Sequence, residues 1–211
     1  MTPQFLINPG ATGEYAHGKT SESNCNGNLY VAWTGADDAV NIAWGSTGGA
    51  FAHKVTFNER AYYNLGTGSL PALYTSPSLT CWAPAYGPYA GVYQVWMAWT
   101  GTDQNLYFGY FDGNPSHNYL YDRSTVPNQK SYFSPTIAAF GGTIRYAWVG
   151  ENDGTQGYHS GYPNFIRSDD GISWYSQNTW RAETAVGGMG FTSYCQPGGR
   201  LQSVVCLGRH R

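Results

Sequence analysis

At 211 residues, with 41% hydrophobic, 17% aromatic and only 11% charged side chains, the chain is sized for one domain with a substantial core, and its composition argues against disorder and coiled coil. A formal net charge of −2 leaves no electrostatic footprint for a phosphate backbone, which argues against nucleic-acid binding. The longest apolar stretch, residues 92–99, is interrupted by Gln94 and falls short of the ~20 residues of a membrane helix, so no membrane insertion is expected.

The 28 glycines and 11 prolines punctuate the chain every few residues, and the runs between them alternate with the period of half-buried strands. The start, Met1-Thr2-Pro3-Gln4-Phe5-Leu6, has neither the basic residues nor the apolar core of a secretion signal. Leu29-Tyr30-Val31-Ala32-Trp33 reads as a strand, residues 36–43 as a polar turn leading into the next, and residues 53–59 as a fourth. The pattern then restarts. Ser76-Pro77-Ser78-Leu79 opens a strand, residues 93–99 return antiparallel to it, and residues 102–109 repeat the polar turn and third strand. A third round follows with Ser134-Pro135-Thr136-Ile137, the strand 143–148 and a last strand at 177–183. Residues 191–195 and 198–206 begin a fourth unit that stops after two strands.

Three of these strands end alike, in Ala32-Trp33-Thr34-Gly35, Ala98-Trp99-Thr100-Gly101 and Ala147-Trp148-Val149-Gly150, on the spacing of four-stranded propeller blades with loop insertions. The expected fold is therefore all-β, a single β-propeller domain over residues 1–211 with four-stranded antiparallel blades. Three blades are complete and one is closed by the chain termini, residues 4–8 covering the open edge of the half-blade. Two alternatives stay open: a second copy completing a larger ring as a homo-oligomer, or a piece of a longer propeller.

Within the third unit, Arg167-Ser168-Asp169-Asp170-Gly171-Ile172-Ser173-Trp174 resembles the Asp-box hairpin of sialidases and related propellers. In this reading Asp169 caps the turn amides, Gly171 supplies a positive φ and Trp174 is buried between strands. The wider repeat is similar to secreted bacterial sialidase-like repeat proteins and to propeller lectins, a resemblance that implies an extracellular location. Sialidase chemistry would further require three arginines, a tyrosine nucleophile activated by a glutamate, and an aspartate acid/base. The Phe-Arg-Ile-Pro signature of that family is absent, Phe165-Ile166-Arg167 being the nearest string.

Trp33, Trp99 and Trp148 fit either blade packing or sugar stacking. Aromatics nearer turns, Trp44, Tyr107, Tyr110 and Tyr158, are candidates to meet the apolar face of a pyranose. Asp37 and Asn41 after the first Trp-Thr-Gly, and Asp103 and Asn105 after the second, occupy matching positions, with Glu151 in the third unit. They serve either as turn caps or as hydrogen-bonding partners for sugar hydroxyls. Asp37-Asp38, Asp112-Gly113, Asp153-Gly154 and Asp169-Asp170-Gly171 offer oxygens of the kind calcium takes, a site needing six or more ligands. Otherwise no cofactor is implied. His17, His53, His117, His159 and His210 lack zinc spacing, and Cys25, Cys81, Cys195 and Cys206 contain no C-x-x-C pair, reading as buried thiols or two disulfides. The function expected is a lectin-like propeller binding glycans at repeated sites, the alternatives being a sialidase-like glycoside hydrolase and a protein-interaction scaffold.

Overall fold

A computed structural model of the chain describes residues 16–64, 73–150, 161–181, 185, 187–195 and 201–207. Among the described residues there are strands and no helix, as the alternating pattern predicts. The first sheet runs β1 (Ala16–Cys25), β2 (Asn28–Gly35), β3 (Ala39–Ser46) and β4 (His53–Arg60). A two-stranded ribbon, β5 (Tyr63–Asn64) and β6 (Leu73–Tyr74), leads to the second sheet, β7 (Ser78–Trp82), β8 (Gln94–Thr100), β9 (Asn105–Phe111) and β10 (Tyr121–Lys130). The third comprises β11 (Thr136–Phe140), β12 (Thr143–Val149), β13 (Pro163–Ser168) and β14 (Tyr175–Thr179), and β15 (Met189–Cys195) pairs with β16 (Leu201–Leu207) as a hairpin. Each four-stranded sheet is an antiparallel meander in which strands adjacent in sequence are adjacent in space. The segment 4–8, expected to close the edge, lies outside the described residues.

The sheets pack face against face in chain order. Tyr30, Ile42, Trp44, Val55 and Phe57 of the first sheet form one core with Leu79, Val95, Met97 and Phe111 of the second. The opposite face of the second sheet, through Trp96, Leu106 and Phe108, meets Ile137, Ile144 and Tyr146 of the third. Ala147, Val149 and Phe165 then close on Ala185 and Met189. Because the second and third sheets are covered on both faces, their central strands are buried almost throughout.

Trp33, Trp99 and Trp148 answer the packing alternative. They are at most 1% exposed, and each occupies the same strand position. Trp99 sits in the core shared with the first sheet and Trp148 in the core shared with the second, while Trp33 lies on the corresponding, outward face of the first sheet beneath the Lys54 ammonium. Each indole takes roughly 150–250 Å² out of water, several kcal/mol at about 25 cal/mol per Å².

The first strands are joined by side-chain hydroxyls. An outer strand carries N–H groups that its own sheet leaves unpaired, and here a neighbouring first strand accepts them. Leu79 N donates to Ser21 Oγ (2.9 Å), Ile137 N to Ser78 Oγ (3.1 Å) and Ala139 N to Thr80 Oγ1 (3.1 Å). Lys19 N and Ser76 N likewise donate to Ser76 Oγ and Ser134 Oγ, at 2.7 and 2.8 Å. These bonds align Lys19, Ser76 and Ser134 as equivalent positions, which makes the Ser-Pro openings a joint between sheets. The Cys25–Cys81 disulfide ties β1 to β7 as well.

The hairpin at 168–174 corrects one expectation. Asp170, not Asp169, is the cap: its Oδ1 accepts from Ile172 N (2.8 Å), Ser173 N (2.7 Å) and Ser168 Oγ (2.9 Å). Gly171 has φ +77°, and a side chain there would strike the buried Trp96 ring. Trp174 packs against Phe108 with ring centroids 4.7 Å apart, between the second and third sheets.

Candidate functional site

The Trp-Thr-Gly turns and the connections between sheets gather at one end. Asp38 N donates to Gly35 O and Gln104 N to Gly101 O, each closing a tight turn whose last residue is left-handed, with φ +64° and +66°. In both turns the preceding aspartate accepts the amide two residues on: Asp37 Oδ1 from Ala39 N (3.2 Å) and Asp103 Oδ1 from Asn105 N (3.1 Å). Connecting segments dock onto these turns through Ala61 N to Asp38 O, Tyr62 N to Thr100 O and Ser131 N to Gln104 O. The glycines are needed for closeness, since a Cβ at Gly35 would come 2.6 Å from Asp37 Oδ1 and one at Gly150 2.8 Å from Asn164 Nδ2.

Following the hydroxyl-linked alignment two residues back, from Lys19, Ser76 and Ser134, places one ring per sheet at this end: His17, Tyr74 and Tyr132. All three are half-buried. His17 and Tyr74 lie 4.3 Å apart between centroids, Tyr74 stacks on Tyr63 at 6.5 Å, and Tyr132 meets Tyr62 edge-on at 5.8 Å. His17 Nδ1 is 3.7 Å from Asp38 Oδ1, so the imidazole faces the first turn. Main-chain joints hold the positions after the rings, Thr34 Oγ1 donating to Thr75 O and Thr100 Oγ1 to Phe133 O, both at 2.7 Å.

Beside the second turn is a polar cluster. Asp103 Oδ2 accepts from Asn105 Nδ2 (2.6 Å) and from the Tyr107 hydroxyl (2.8 Å). The Tyr107 ring is layered between Trp99, stacked at 5.3 Å, and the Arg123 guanidinium at 4.3 Å. Arg123 in turn makes a two-pronged ion pair with Glu59 on β4, so the cluster spans the first and second sheets. Burial pushes the Asp103 carboxyl up, but the bonds from Tyr107 and Asn105 outweigh it and hold it below the ordinary carboxylate value. Burial and the adjacent Asp103 raise the Tyr107 hydroxyl, and Glu59 raises Arg123.

Of the residues singled out from sequence, Asp37, Asp103, Asn105 and Tyr107 lie at this end within reach of solvent. Asn41 is here too, but 3% exposed, its amide donating to Ala39 O (2.9 Å) and accepting from Thr56 Oγ1 (2.6 Å). Its strand equivalent is Tyr107, each being the register partner of its repeat's tryptophan, so the matching of Asn41 with Asn105 is corrected. Trp44 is buried under Tyr30 and Phe111, and Tyr110 among Tyr89, Trp96 and Tyr121; neither lies near the turns. Glu151 and Tyr158 fall outside the described residues. Among the described residues no three His, Cys, Asp or Glu side chains gather as metal ligands. His17, Tyr74, Tyr132, Arg123 and Glu59 were not anticipated. For two of them the sequence carried a signal, Tyr74-Thr75-Ser76-Pro77 repeating as Tyr132-Phe133-Ser134-Pro135. Comparison with protein-family models, with curated proteins and with solved structures found no match.

Proposed function

We propose that the chain is a lectin-like, carbohydrate-binding module whose sheets are the blades of a β-propeller, and that glycans dock on the end carrying the Trp-Thr-Gly turns. The observation that carries this reading is the repetition of one half-buried ring per sheet, His17, Tyr74 and Tyr132, beside turns furnished with Asp37, Asp103 and Asn105. An aromatic face suits the C–H side of a pyranose, and carboxylate and amide groups suit hydroxyls that both donate and accept. Repeated shallow sites on one ring gain through effective concentration. The Cys25–Cys81 bridge supports an oxidising, extracellular location.

The test is a glycan array followed by calorimetry on the best binder. Tyr132→Ala and Tyr74→Ala should each weaken binding while leaving the unfolding transition in place, and binding unaffected by both would end the proposal. A hydrolytic reading draws on the Tyr107 hydroxyl held by Asp103 with Arg123 across its ring. Turnover of a fluorogenic glycoside that disappears in Tyr107→Phe would replace binding by catalysis.

A further inference from the structure

Away from that end, the third sheet carries two positive charges that form no ion pair among the described residues. Register partners run Ala138, Arg145, Arg167 and Tyr175 across β11, β12, β13 and β14, so these side chains share one face. It is the face that Ala147 and Val149 present toward Met189 of β15. Arg145 and Arg167 are direct cross-strand neighbours, and among the described residues neither forms an ion pair. Arg145 lies over the Phe140 ring at 4.8 Å and Arg167 over Tyr175 at 5.0 Å. The Arg145 Nε is buried and has no hydrogen-bond partner among the described residues. Asp169, the carboxylate just beyond the end of β13, raises the Tyr175 hydroxyl and makes no ion pair with either arginine among the described residues. Burial, and then Arg167, lower the Arg145 pKa from its usual value, the direction expected for a cation lacking a counter-charge.

Like charges directly opposite on a sheet are destabilising, and a buried donor left unmade costs more than a made bond returns. Two guanidinium forks pointing to one side, each steadied on a ring, match the oxygens of an anion that takes several donors at once. We propose that Arg145 and Arg167 form a binding site for a sulfate or phosphate group. Its bearer is either a free inorganic anion or an ester on a larger molecule such as a sugar. The site stands independently of the glycan surface at the other end.

The experiment follows the arginine Nε–H resonances of the full chain during titration with inorganic sulfate and, separately, phosphate. Saturable displacement of the Arg145 and Arg167 signals is expected, weakened about tenfold or more in Arg167→Gln and reduced by added sodium chloride. Arg167 is exposed, so that variant keeps its fold even where Arg145→Gln does not. Glucose 6-sulfate and glucose form the second arm. Tighter binding of the ester than of sulfate assigns the site to a sulfated sugar, and equal binding assigns it to the free anion. No saturable shift with either anion, or equal shifts in wild type and Arg167→Gln, overturns the proposal.

Discussion

Replacing Asp170 by alanine removes a single oxygen that accepts three hydrogen bonds, from Ile172 N, Ser173 N and Ser168 Oγ, at 2.7–2.9 Å. Each bond is worth about 0.5–1.5 kcal/mol net, and somewhat more to a charged acceptor. Two of the three donors are exposed amides that water can satisfy in the variant, which brings the loss down toward that of a helix N-cap, about 1–2 kcal/mol. In a chain of this size that corresponds to roughly 2–8 °C in Tm. Asp169→Ala keeps all three bonds and should stay within about 0.5 kcal/mol of wild type, as surface changes generally do. Urea unfolding by tryptophan fluorescence measures both, with an unchanged m-value required for the comparison. Equal losses in the two variants, or a larger loss in Asp169→Ala, would refute the assignment of the cap to Asp170.

Asn41→Ala and Asn164→Ala should be destabilising by similar amounts, about 1–3 kcal/mol each, because each leaves a threonine hydroxyl and a buried carbonyl without their partner; chemical denaturation of the two variants side by side checks the equality. Reduction of Cys25–Cys81, or Cys25→Ser with Cys81→Ser, frees a sequence separation of 56 residues and should lower the unfolding free energy by up to about 4 kcal/mol on the chain-entropy account; an unchanged urea midpoint in dithiothreitol would count against that role. Asp103 and Asp170 are both held below the ordinary carboxylate value, burial opposing the shift and hydrogen bonds to each carboxylate outweighing it. The unfolded chain therefore binds protons first. Their contribution is complete above about pH 4 and is lost as pH falls through the lower folded values, so acid unfolding should begin at higher pH in wild type than in Asp103→Asn with Asp170→Asn only if this sign is wrong.

The strands following each Ser-Pro and preceding each Trp-Thr-Gly were legible because alternation, β-branching and a repeated ending coincide in them. β1 was not, since Gly18-Lys19-Thr20-Ser21-Glu22 lacks an apolar side; it is held by pairing with β2 and by hydroxyl bonds to β7. β10 escaped for a related reason, its register being broken twice and Asp122 and Asn128 taking positive φ. Trp44 and Tyr110, candidates for sugar contact, are instead core, because each lies on the face its sheet turns toward the next one in the stack. Glu59 and Arg123 are 64 residues apart and meet only when two sheets pack, a pairing that no local pattern encodes. Tyr74 and Tyr132 were within reach, two residues before the strings that defined the Ser-Pro repeat.

The second sheet is where the repeat abandons its own solution. In the first, Asn41 opposite Trp33 is bonded by Thr56; in the third, Asn164 opposite Trp148 is bonded by Thr179, both at 2.6 Å. The second keeps the tryptophan and a threonine at the partner position, Thr125, but sets Tyr107 between them. Tyr107→Asn should therefore rebuild the amide–hydroxyl bond seen in the other sheets. It forfeits stacking on Trp99, about 0.5–1.5 kcal/mol, the Arg123 contact, about 0.5–1 kcal/mol, and the exposed hydroxyl bond to Asp103, about 0.5 kcal/mol, and regains two hydrogen bonds near 1 kcal/mol each. The variant should sit within about 1 kcal/mol of wild type, while Tyr107→Ala, with the same losses and no bond in return, falls about 2 kcal/mol lower. On the proposed function, glycan binding at the Asp103 cluster should fail in both, because Asp103 and Arg123 lose the ring that joins them. Equal stability of the asparagine and alanine variants would mean that the three sheets do not share one design at this position, and the equivalence drawn among their turns would fall with it.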